Sequence, residues 1–326
     1  MVYNSVNPSV SRIESELERI IDKIEELPID FVFVFLPGSQ AEDKGDVLYE
    51  SAKKYLYRLN QDIASQVIYS KTVSNAGRNF QNITNNIALG MLAKLGNIPY
   101  VLKEPIKIAD IFVGLDVSRS PNKKSNGSRN VCASVRFYGE QGKFQGYRFH
   151  EAFIEGEEIP QKALESFFPI KDFSQKRVLI YRDGRFRGEE VEVLIKRASQ
   201  IGAEFILVES VKSQVPRLYV TESGNLLPPS KGLALKLSNR EVILVMTNVQ
   251  EKIGAPRPLR LRIHEAGTQA SLDDLIDATL KFTLLHYGSL KDPRLPIPLY
   301  SPDAIAYRRL QGTAPRYDDG DRQFWL

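Results

Sequence analysis

Two aspartates stand at the ends of apolar runs, where a buried strand would give way to a turn. Asp116 lies near the end of the run 111–117, and Asp183 follows the run 176–181. A charge in a buried strand is costly unless it is paired or bound to a metal ion. Carboxylates from several residues suit Mg²⁺ or Mn²⁺, and a pair of such ions can activate water and stabilise the leaving oxygen of a phosphodiester. The two positions therefore indicate metal-dependent phosphodiester hydrolysis.

Further acids could complete such a site. Asp303 opens a predicted helix after a Ser-Pro pair, and Glu155, Glu157 and Glu158 lie in an acid-rich loop between the two strands. Each acid also has a plain structural explanation. Asp303 is a good helix N-cap, Asp183 with the following glycine makes an ordinary turn, and the loop glutamates suit a solvated turn. Their joint occurrence in the order strand, loop, strand and helix is more specific than any one of them.

A second set of residues, in the first third of the chain, could bind a phosphate. Tyr49 and Lys53 are four residues apart, on one face of a predicted helix. Gln66 begins the following strand, and Lys94 lies at the end of a later helix. These side chains donate hydrogen bonds of the kind that a terminal phosphate accepts. The alternative is a solvated helix face, with Lys94 stabilising the helix dipole.

Composition excludes several other classes of site. The single cysteine, Cys132, rules out a disulfide within the chain and any cysteine-rich zinc or iron–sulfur site. The three histidines, His150, His264 and His286, are assigned no chemistry and suit packing positions or a strand end. No GxGxxG or GxxxxGK[ST] motif occurs, so nucleotide binding by those routes has no support.

Charge and hydropathy describe an ordinary globular chain. The 326 residues carry a net charge of +4, and 42% of them are hydrophobic. A mildly basic balance permits a polyanionic partner without demanding one. The N-terminus lacks the pattern of a signal peptide, and the longest apolar runs fall far short of a membrane span. We therefore expect a cytoplasmic protein of about two domains that does not contact the membrane.

Alternating strands and helices in residues 1–105 predict an open parallel α/β sheet. Apolar spacing between positions 13 and 24 predicts a first helix, and the run 31–36 reads as a buried strand. A helix over 46–63, a strand over 66–70, a helix over 81–95 and a strand over 98–102 follow.

The rest of the chain predicts a mixed sheet flanked by helices. Strands over 111–117, 130–138 and 144–153 form an antiparallel set, followed by a short helix at 161–168. A strand at 176–181, a helix at 189–199 and a strand at 203–209 come next. Shorter strands are expected near 218–220 and 241–246, with closing helices over 271–286 and 303–310. The early order of elements is the ribonuclease H layout.

These motifs resemble a known family. Four segments are similar to the PIWI module of prokaryotic Argonaute proteins: Gly114-Leu-Asp116-Val, Gly156-Glu157-Glu158-Ile-Pro160, Tyr181-Arg-Asp183-Gly and Pro298-Leu-Tyr-Ser-Pro-Asp303. The tyrosine, glutamine and two lysines named above resemble the MID module, and the apolar end Gln323-Phe-Trp-Leu326 resembles chain ends of the family. The resemblance divides the chain into a MID-like domain at 1–108 and a ribonuclease H-like PIWI domain at 109–326.

The resemblance implies a guide-directed endonuclease that uses Mg²⁺ or Mn²⁺. Asp116 and Asp183 match the two fixed aspartates of the family's metal-binding tetrad, and Asp303 matches its variable fourth position. Glu157 matches the mobile glutamate finger. Glu155, Glu158 and the earlier Glu151 remain alternatives for the finger.

The MID resemblance implies a pocket for the 5′ phosphate of the guide, formed by Tyr49, Lys53, Gln66 and Lys94. The terminal carboxylate of Leu326, with Gln66, is expected to hold a metal ion beside that phosphate. The implied partners are a guide strand and its complementary target, both expected to be DNA in a role of DNA interference. The chain is expected to act as a monomer.

One departure from the family concerns length. Long Argonautes carry N-terminal, linker and PAZ domains before MID, whereas about 30 residues precede the first MID strand here. Such a chain is either a fragment of a long Argonaute or a naturally short protein. We expect a fragment of a long, active protein, with weak cleavage because no PAZ domain clamps the guide 3′ end. Two alternatives stay open: a catalytically silent guide-binding module that recruits an effector, and a ribonuclease H-like or resolvase-like enzyme that uses no guide.

Overall fold

The computed structural model describes most of the chain between residues 29 and 326. The described residues are 29–43, 47–59, 63–74, 77–119, 130–151, 158–249, 254–288, 293–300, 312–315 and 317–326, with positions 11, 15, 16, 18, 19 and 308. The helix predicted from positions 13–24 lies outside these residues except for single positions. The predicted helix 303–310, except for position 308, also lies outside them, as do Asp303, Glu155 and Glu157.

The first unit is a small parallel α/β layer, as the alternating pattern predicts. Its described strands are β1 (Phe31–Leu36) and β2 (Ala64–Tyr69), which pair in parallel with Phe33 opposite Gln66. The helices are α1 (Val47–Leu59), α2 (Ser70–Ser74) and α3 (Phe80–Lys94). Leu36, Ala52, Val67 and Tyr69 form its buried centre.

The strand predicted over residues 98–102 is wrong. This segment follows α3 without joining a sheet. Leu102 donates its backbone N–H to the carbonyl of Gln141 at 3.0 Å, and Ile106 donates to Glu140 at 2.8 Å. Pro99 has no N–H to give a ladder. The segment therefore uses its hydrogen bonds to join the first unit to a turn of the second.

In the described part of the chain, a nine-stranded mixed sheet forms the second unit. Its order is β10-β11-β12-β7-β6-β3-β4-β5-β13. The strands are β3 (Ile111–Arg119), β4 (Asn130–Gly139), β5 (Phe144–Glu151), β6 (Arg177–Asp183), β7 (Glu204–Val211), β10 (Ala234–Lys236), β11 (Glu241–Leu244), β12 (Leu259–Ile263) and β13 (Asp319–Gly320). The central five, in the order β5-β4-β3-β6-β7, have the ribonuclease H arrangement that the sequence predicts.

Most of the short strands at the periphery are not predicted from the sequence. A separate hairpin joins β8 (Val220–Glu222) to β9 (Asn225–Leu227). The β9, β10 and β13 segments carry no strand prediction, and β12 is anticipated only by the strand end at His264. Strands of two to five residues have little periodicity to read, and their pairing depends on a partner that the tertiary structure supplies.

Helices cover both faces of the large sheet. One face packs against α7 (Leu272–Lys281), and the other packs against α4 (Gln161–Phe167) and α6 (Glu190–Ile201). Strand alternation explains the division: Phe112 belongs to the first core and Val113 to the second. Two short helices, α5 (Ile170–Phe173) and α8 (Ile297–Tyr300), complete the described elements.

Helix α8 lies directly against the central strand at a glycine. An ideal Cβ built on Gly114 would lie 1.7 Å from the carbonyl oxygen of Pro298, which leaves no room for a side chain. Arg136, on β4, donates from Nη2 to that same carbonyl at 2.8 Å. Gly114 and Arg136 therefore fix the segment that leads to Asp303 against the strand that carries Asp116.

We expect Gly114→Ala to destabilise the protein by about 2 kcal/mol or more, because the added methyl group must displace backbone in a packed core. Urea unfolding measures the difference. Gly90→Ala is the matched control: Gly90 is helical and nothing lies within 4 Å of its added Cβ. Alanine there should stabilise the helix by up to about 1 kcal/mol. Equal stability of Gly114→Ala and the parent would contradict the close approach.

Candidate functional site

Asp116 and Asp183 lie side by side at one edge of the sheet. Strands β3 and β6 are parallel neighbours, and their last registered pair is Leu115 with Arg182, so the two aspartates come next in register. Alternation places both on the face of Phe112 and Tyr181. Both carboxylates are nearly buried: Asp116 is 5% exposed, and the side chain of Asp183 is 8% exposed. The two aspartates therefore come from neighbouring strands of one sheet.

A lysine forms an ion pair with one of these two aspartates. Lys212 follows the end of β7, and its Nζ contacts Oδ2 of Asp183. Arg294 donates from Nη2 to the backbone carbonyl of Lys212 at 3.3 Å. Two adjacent buried carboxylates repel each other and lose hydration, so a cation at this place stabilises them. Sequence reasoning did not identify Lys212.

A buried ion pair fixes the turn that follows Asp183. Arg182 donates to both carboxylate oxygens of Glu190, at 3.0 and 3.2 Å, and both side chains are almost fully buried. Glu190 also accepts the backbone N–H of Ile159 at 2.8 Å. This arrangement holds the end of the acid-rich loop against the beginning of α6.

The same contacts bear on which loop glutamate could move into the site. Glu158 accepts the backbone N–H of Glu189 at 2.8 Å, so it has a structural partner at the start of α6. Glu157 and Glu155 lie outside the described residues, and the side chain of Glu151, at the end of β5, is also not described. The assignment of Glu157 therefore remains a prediction.

Asp303 lies beyond the last residue of α8 that the structure describes. Asp303 is three positions after Tyr300, which limits the distance between their Cα atoms to about 11 Å. Pro298 of α8 lies against Gly114, two positions before Asp116 on β3. The place of Asp303 in the site remains a prediction.

The donor chemistry of this edge fits a divalent cation. Among the described residues no group of three or more histidine, cysteine or acidic side chains gathers in one place. The two described carboxylates nevertheless have the charge, the oxygen donors and the burial that Mg²⁺ or Mn²⁺ requires. Asp116 and Asp183 would hold the ion or ions, which supply charge for a phosphodiester reaction.

A second site lies in the first unit, where buried lysines converge. Lys53 is 2% exposed and donates from Nζ to the carbonyl oxygen and the hydroxyl of Ser65, at 2.7 and 2.8 Å. Its Nζ lies 5.9 Å from the centre of the Tyr49 ring. Lys94 is 3% exposed and donates to Oε1 of Gln66. The structure thus brings together the four residues predicted to bind a phosphate.

An arginine that the sequence analysis missed joins this set. Arg308 donates to the hydroxyl of Tyr49, and its guanidinium lies 5.3 Å from the ring centre. Arg308 is 259 residues from Tyr49 in the chain. No local pattern separates it from the neighbouring basic residue of a predicted helix, so the sequence offered no signal.

Burial and mutual repulsion disfavour the charged forms of these lysines. Burial lowers the pKa of Lys53 well below its ordinary value, and the charges of Lys94 and Arg308 lower it further. Burial, with the nearby Arg308, lowers the pKa of Lys94 to about 7. Glu50, at the rim, pairs with Lys54 at 3.2 Å. An anion placed among the two lysines and Arg308 would relieve their repulsion.

A cavity of about 550 Å³ opens beside part of this set, and neither Lys53 nor Lys94 lines it. Tyr49, Gln66, Arg308 and the C-terminal residue Leu326 line it. The chain end therefore lies beside the candidate phosphate pocket, as the resemblance implies. Its terminal carboxylate would repel a phosphate unless a cation came between them, so the metal ion expected there remains a proposal.

A basic group adjoins the acidic edge. Burial lowers the pKa of Arg294, and the nearby positive charges of Arg257 and Arg217 lower it further. Arg217 donates from Nη1 to the carbonyl of Ala255 at 2.6 Å. Arg294 is the member of this group that contacts the acidic edge, through its hydrogen bond to the carbonyl of Lys212. The described helices include none of the length and apolarity that crossing a bilayer requires.

Comparison with known proteins identifies relatives along most of the chain. The model of the Piwi domain matches residues 31–313. The protein argonaute of Aquifex aeolicus is 31% identical over 319 residues, which are 96% of this chain and 43% of that relative. The protein argonaute of Thermus thermophilus is 30% identical over 229 residues, 68% of this chain and 31% of that protein.

Comparison with solved structures also finds Argonaute proteins. Clostridium butyricum Argonaute bound to a guide DNA and a 19-mer target DNA has a TM-score of 0.80 at 22% identity, over 96% of this chain and 42% of that one. At that identity the likeness concerns the fold alone. The Aquifex aeolicus protein with externally bound siRNA has a TM-score of 0.73 at 29% identity, over 99% and 44%. The chain thus spans less than half the length of these relatives.

The lowered pKa values predict a stability that rises with pH. Between about pH 7 and the ordinary lysine value of 10.5, Lys94 binds a proton in the unfolded chain and loses it in the folded chain. The free energy of unfolding therefore rises with pH in this window, by at most about 1.4 kcal/mol per pH unit for one lysine.

Lys94→Met should reduce that slope when urea unfolding is measured between pH 7.5 and 9 without nucleic acid. Lys54→Met, on the same unit and paired with Glu50 at its surface, is the control and should keep the parental slope. Equal slopes in the parent and Lys94→Met would contradict the burial of Lys94 as the cause.

Proposed function

Because the chain belongs to the Piwi-domain family of Argonaute proteins, we propose that it binds a short guide strand and cleaves the target strand paired with it. The observation that carries this proposal is the presence of two complementary sites in one chain. Buried carboxylates on adjacent strands suit divalent metal ions, and buried cations beside a cavity suit a phosphate. The activity, substrates and partners of the longer relatives are attributed to this chain only as part of this proposal.

The phosphate site is proposed to bind the 5′ end of the guide. Lys53, Lys94 and Arg308 supply positive charge, and Tyr49 and Gln66 supply hydrogen bonds and shape. A terminal phosphate carries one more ionisable oxygen than an internal one, so the pocket discriminates between a guide end and the middle of a strand. A phosphate dianion would also raise the pKa values of both lysines and keep them charged.

The acidic edge is proposed to carry out hydrolysis. Divalent ions, when bound, neutralise the scissile phosphate and activate the attacking water. Asp116 and Asp183 would bind them, Asp303 would contribute a further oxygen, and Glu157 would complete the shell when its loop closes. The buried pair Arg182–Glu190 keeps Asp183 and the end of that loop in fixed relation.

We propose that the phosphate backbone of the nucleic acid binds along the basic group formed by Arg217, Arg257 and Arg294. A cluster of like charges that repel one another is relieved by a phosphate backbone, which binds with release of counterions. The proposal favours DNA for guide and target.

Cleavage of a labelled target by the chain loaded with a matched guide tests the nuclease site. In Mn²⁺, Asp183→Asn and Asp116→Asn should reduce the rate at least a thousandfold, because asparagine keeps the shape and removes the charge. Guide binding should be unchanged, since it uses the other site. The control Asp273→Asn alters an exposed aspartate paired with Lys236 and should cut at the parental rate.

Parental cleavage by Asp183→Asn would show that the metal site is assigned wrongly. A parent that binds guide and target tightly but never cuts would instead favour the silent guide-binding module. Crossing DNA and RNA guides with DNA and RNA targets, in Mg²⁺ and in Mn²⁺, determines the preferred strands and the metal.

The phosphate pocket is tested by comparing guides with a 5′ phosphate and with a 5′ hydroxyl. The double variant Lys53→Met, Lys94→Met removes both charges while filling similar volume. Its preference for the 5′-phosphate guide over the 5′-hydroxyl guide should be at least tenfold smaller than that of the parent, a difference of about 1.4 kcal/mol. Discrimination equal to that of the parent would overturn the pocket, whereas cleavage with the hydroxyl guide should persist.

A further inference from the structure

We propose that Lys212 is a built-in counter-cation of the metal site, which holds Asp183 in the metal-free protein and competes with the divalent ion for that carboxylate. The inference rests on the proposed function, because it needs Asp183 to be a metal ligand. It assigns to Lys212 a positioning role that the acids themselves do not provide.

The fold delivers Lys212 to this place. Asp183 is registered opposite Ser210 on β7, and Lys212 stands two residues further along. Alternation therefore puts Lys212 on the same face of the sheet as Asp183. Arg294 binds the carbonyl of Lys212, which fixes its backbone where β7 ends. The lysine thus reaches Asp183 from an anchored position.

Its contact is at an atom that a metal ion would use. The ammonium of Lys212 contacts Oδ2 of Asp183. An ammonium on that oxygen occupies the lone pairs that a divalent ion would take, and it also repels the ion through its charge. Lysine and ion therefore cannot both bind Oδ2 at full strength.

The side chain of Lys212 has room to leave. It is 31% exposed, whereas that of Asp183 is 8% exposed. The flexible four-carbon stem lets the ammonium move towards water without moving the strand. The nearly buried carboxylate stays in place and exchanges one cation for another. When no metal ion is bound, Lys212 supplies the cation that two adjacent buried carboxylates need.

Metal binding by the full chain without nucleic acid tests this role. After removal of metal with EDTA, Mn²⁺ is titrated into the parent and into Lys212→Met by calorimetry. We expect the Kd for Mn²⁺ to fall about tenfold in the variant, because the competing cation is gone. In EDTA the variant should also have a lower Tm than the parent, and Mn²⁺ should restore it.

Two further variants separate competition from a general effect of charge. Lys281→Met removes a lysine of similar exposure, 30%, that pairs with Asp277 at 2.7 Å rather than with an acid of the site. It should bind Mn²⁺ as the parent does. Lys212→Arg keeps the cation and should also leave the Kd near that of the parent. An equal shift in Lys281→Met would overturn the proposal.

The outcomes distinguish this inference from the proposed function. If parent and Lys212→Met bind Mn²⁺ equally and the parent cleaves a guided target, the nuclease stands and the role of Lys212 is wrong. If neither binds Mn²⁺ and the parent does not cleave, the metal site itself fails. Binding by Lys212→Met alone would support the inference in its strongest form.

Discussion

The parallel pairing of β3 with β6 is the constraint on which the rest of the nuclease half depends. It aligns Leu115 with Arg182 and so brings Asp116 and Asp183, 67 positions apart in the sequence, to one edge. Neither carboxylate could be buried alone at low cost, and the pair needs positive charge. Lys212 supplies such charge to Asp183 through their ion pair. The same demand is what makes the edge suitable for divalent ions.

The two candidate sites follow one electrostatic principle with opposite signs. Acids are collected at the end of the large sheet, and Lys53, Lys94 and Arg308 are collected beside the small one. Burial strengthens every interaction in both places and makes a missing partner costly. Each site is therefore complementary to a ligand of the other sign: a divalent cation in the first, a phosphate in the second.

The last thirty residues connect these sites. Arg308 and Leu326 line the cavity of the first unit, while β13 pairs with β5 of the large sheet. Trp325 packs against Phe144 and lies beside Arg136, which also binds the carbonyl of Pro298. The chain end thus contacts both units, and the segment before Asp303 is held by the same buried arginine.

The sequence by itself determined the central strands, the longer helices and the two aspartates at strand ends, because their signals are local. Apolar runs marked the central strands, and the positions of Asp116 and Asp183 at their ends could be read directly. What the tertiary structure decided involves distant partners. Pairing with the turn after β4 keeps residues 98–102 out of a sheet, and Lys212 and Arg308 acquire their roles from residues 29 and 259 positions away. Such contacts leave no local period, because a side chain's partner across a fold is set by strand order and register rather than by its neighbours in the chain.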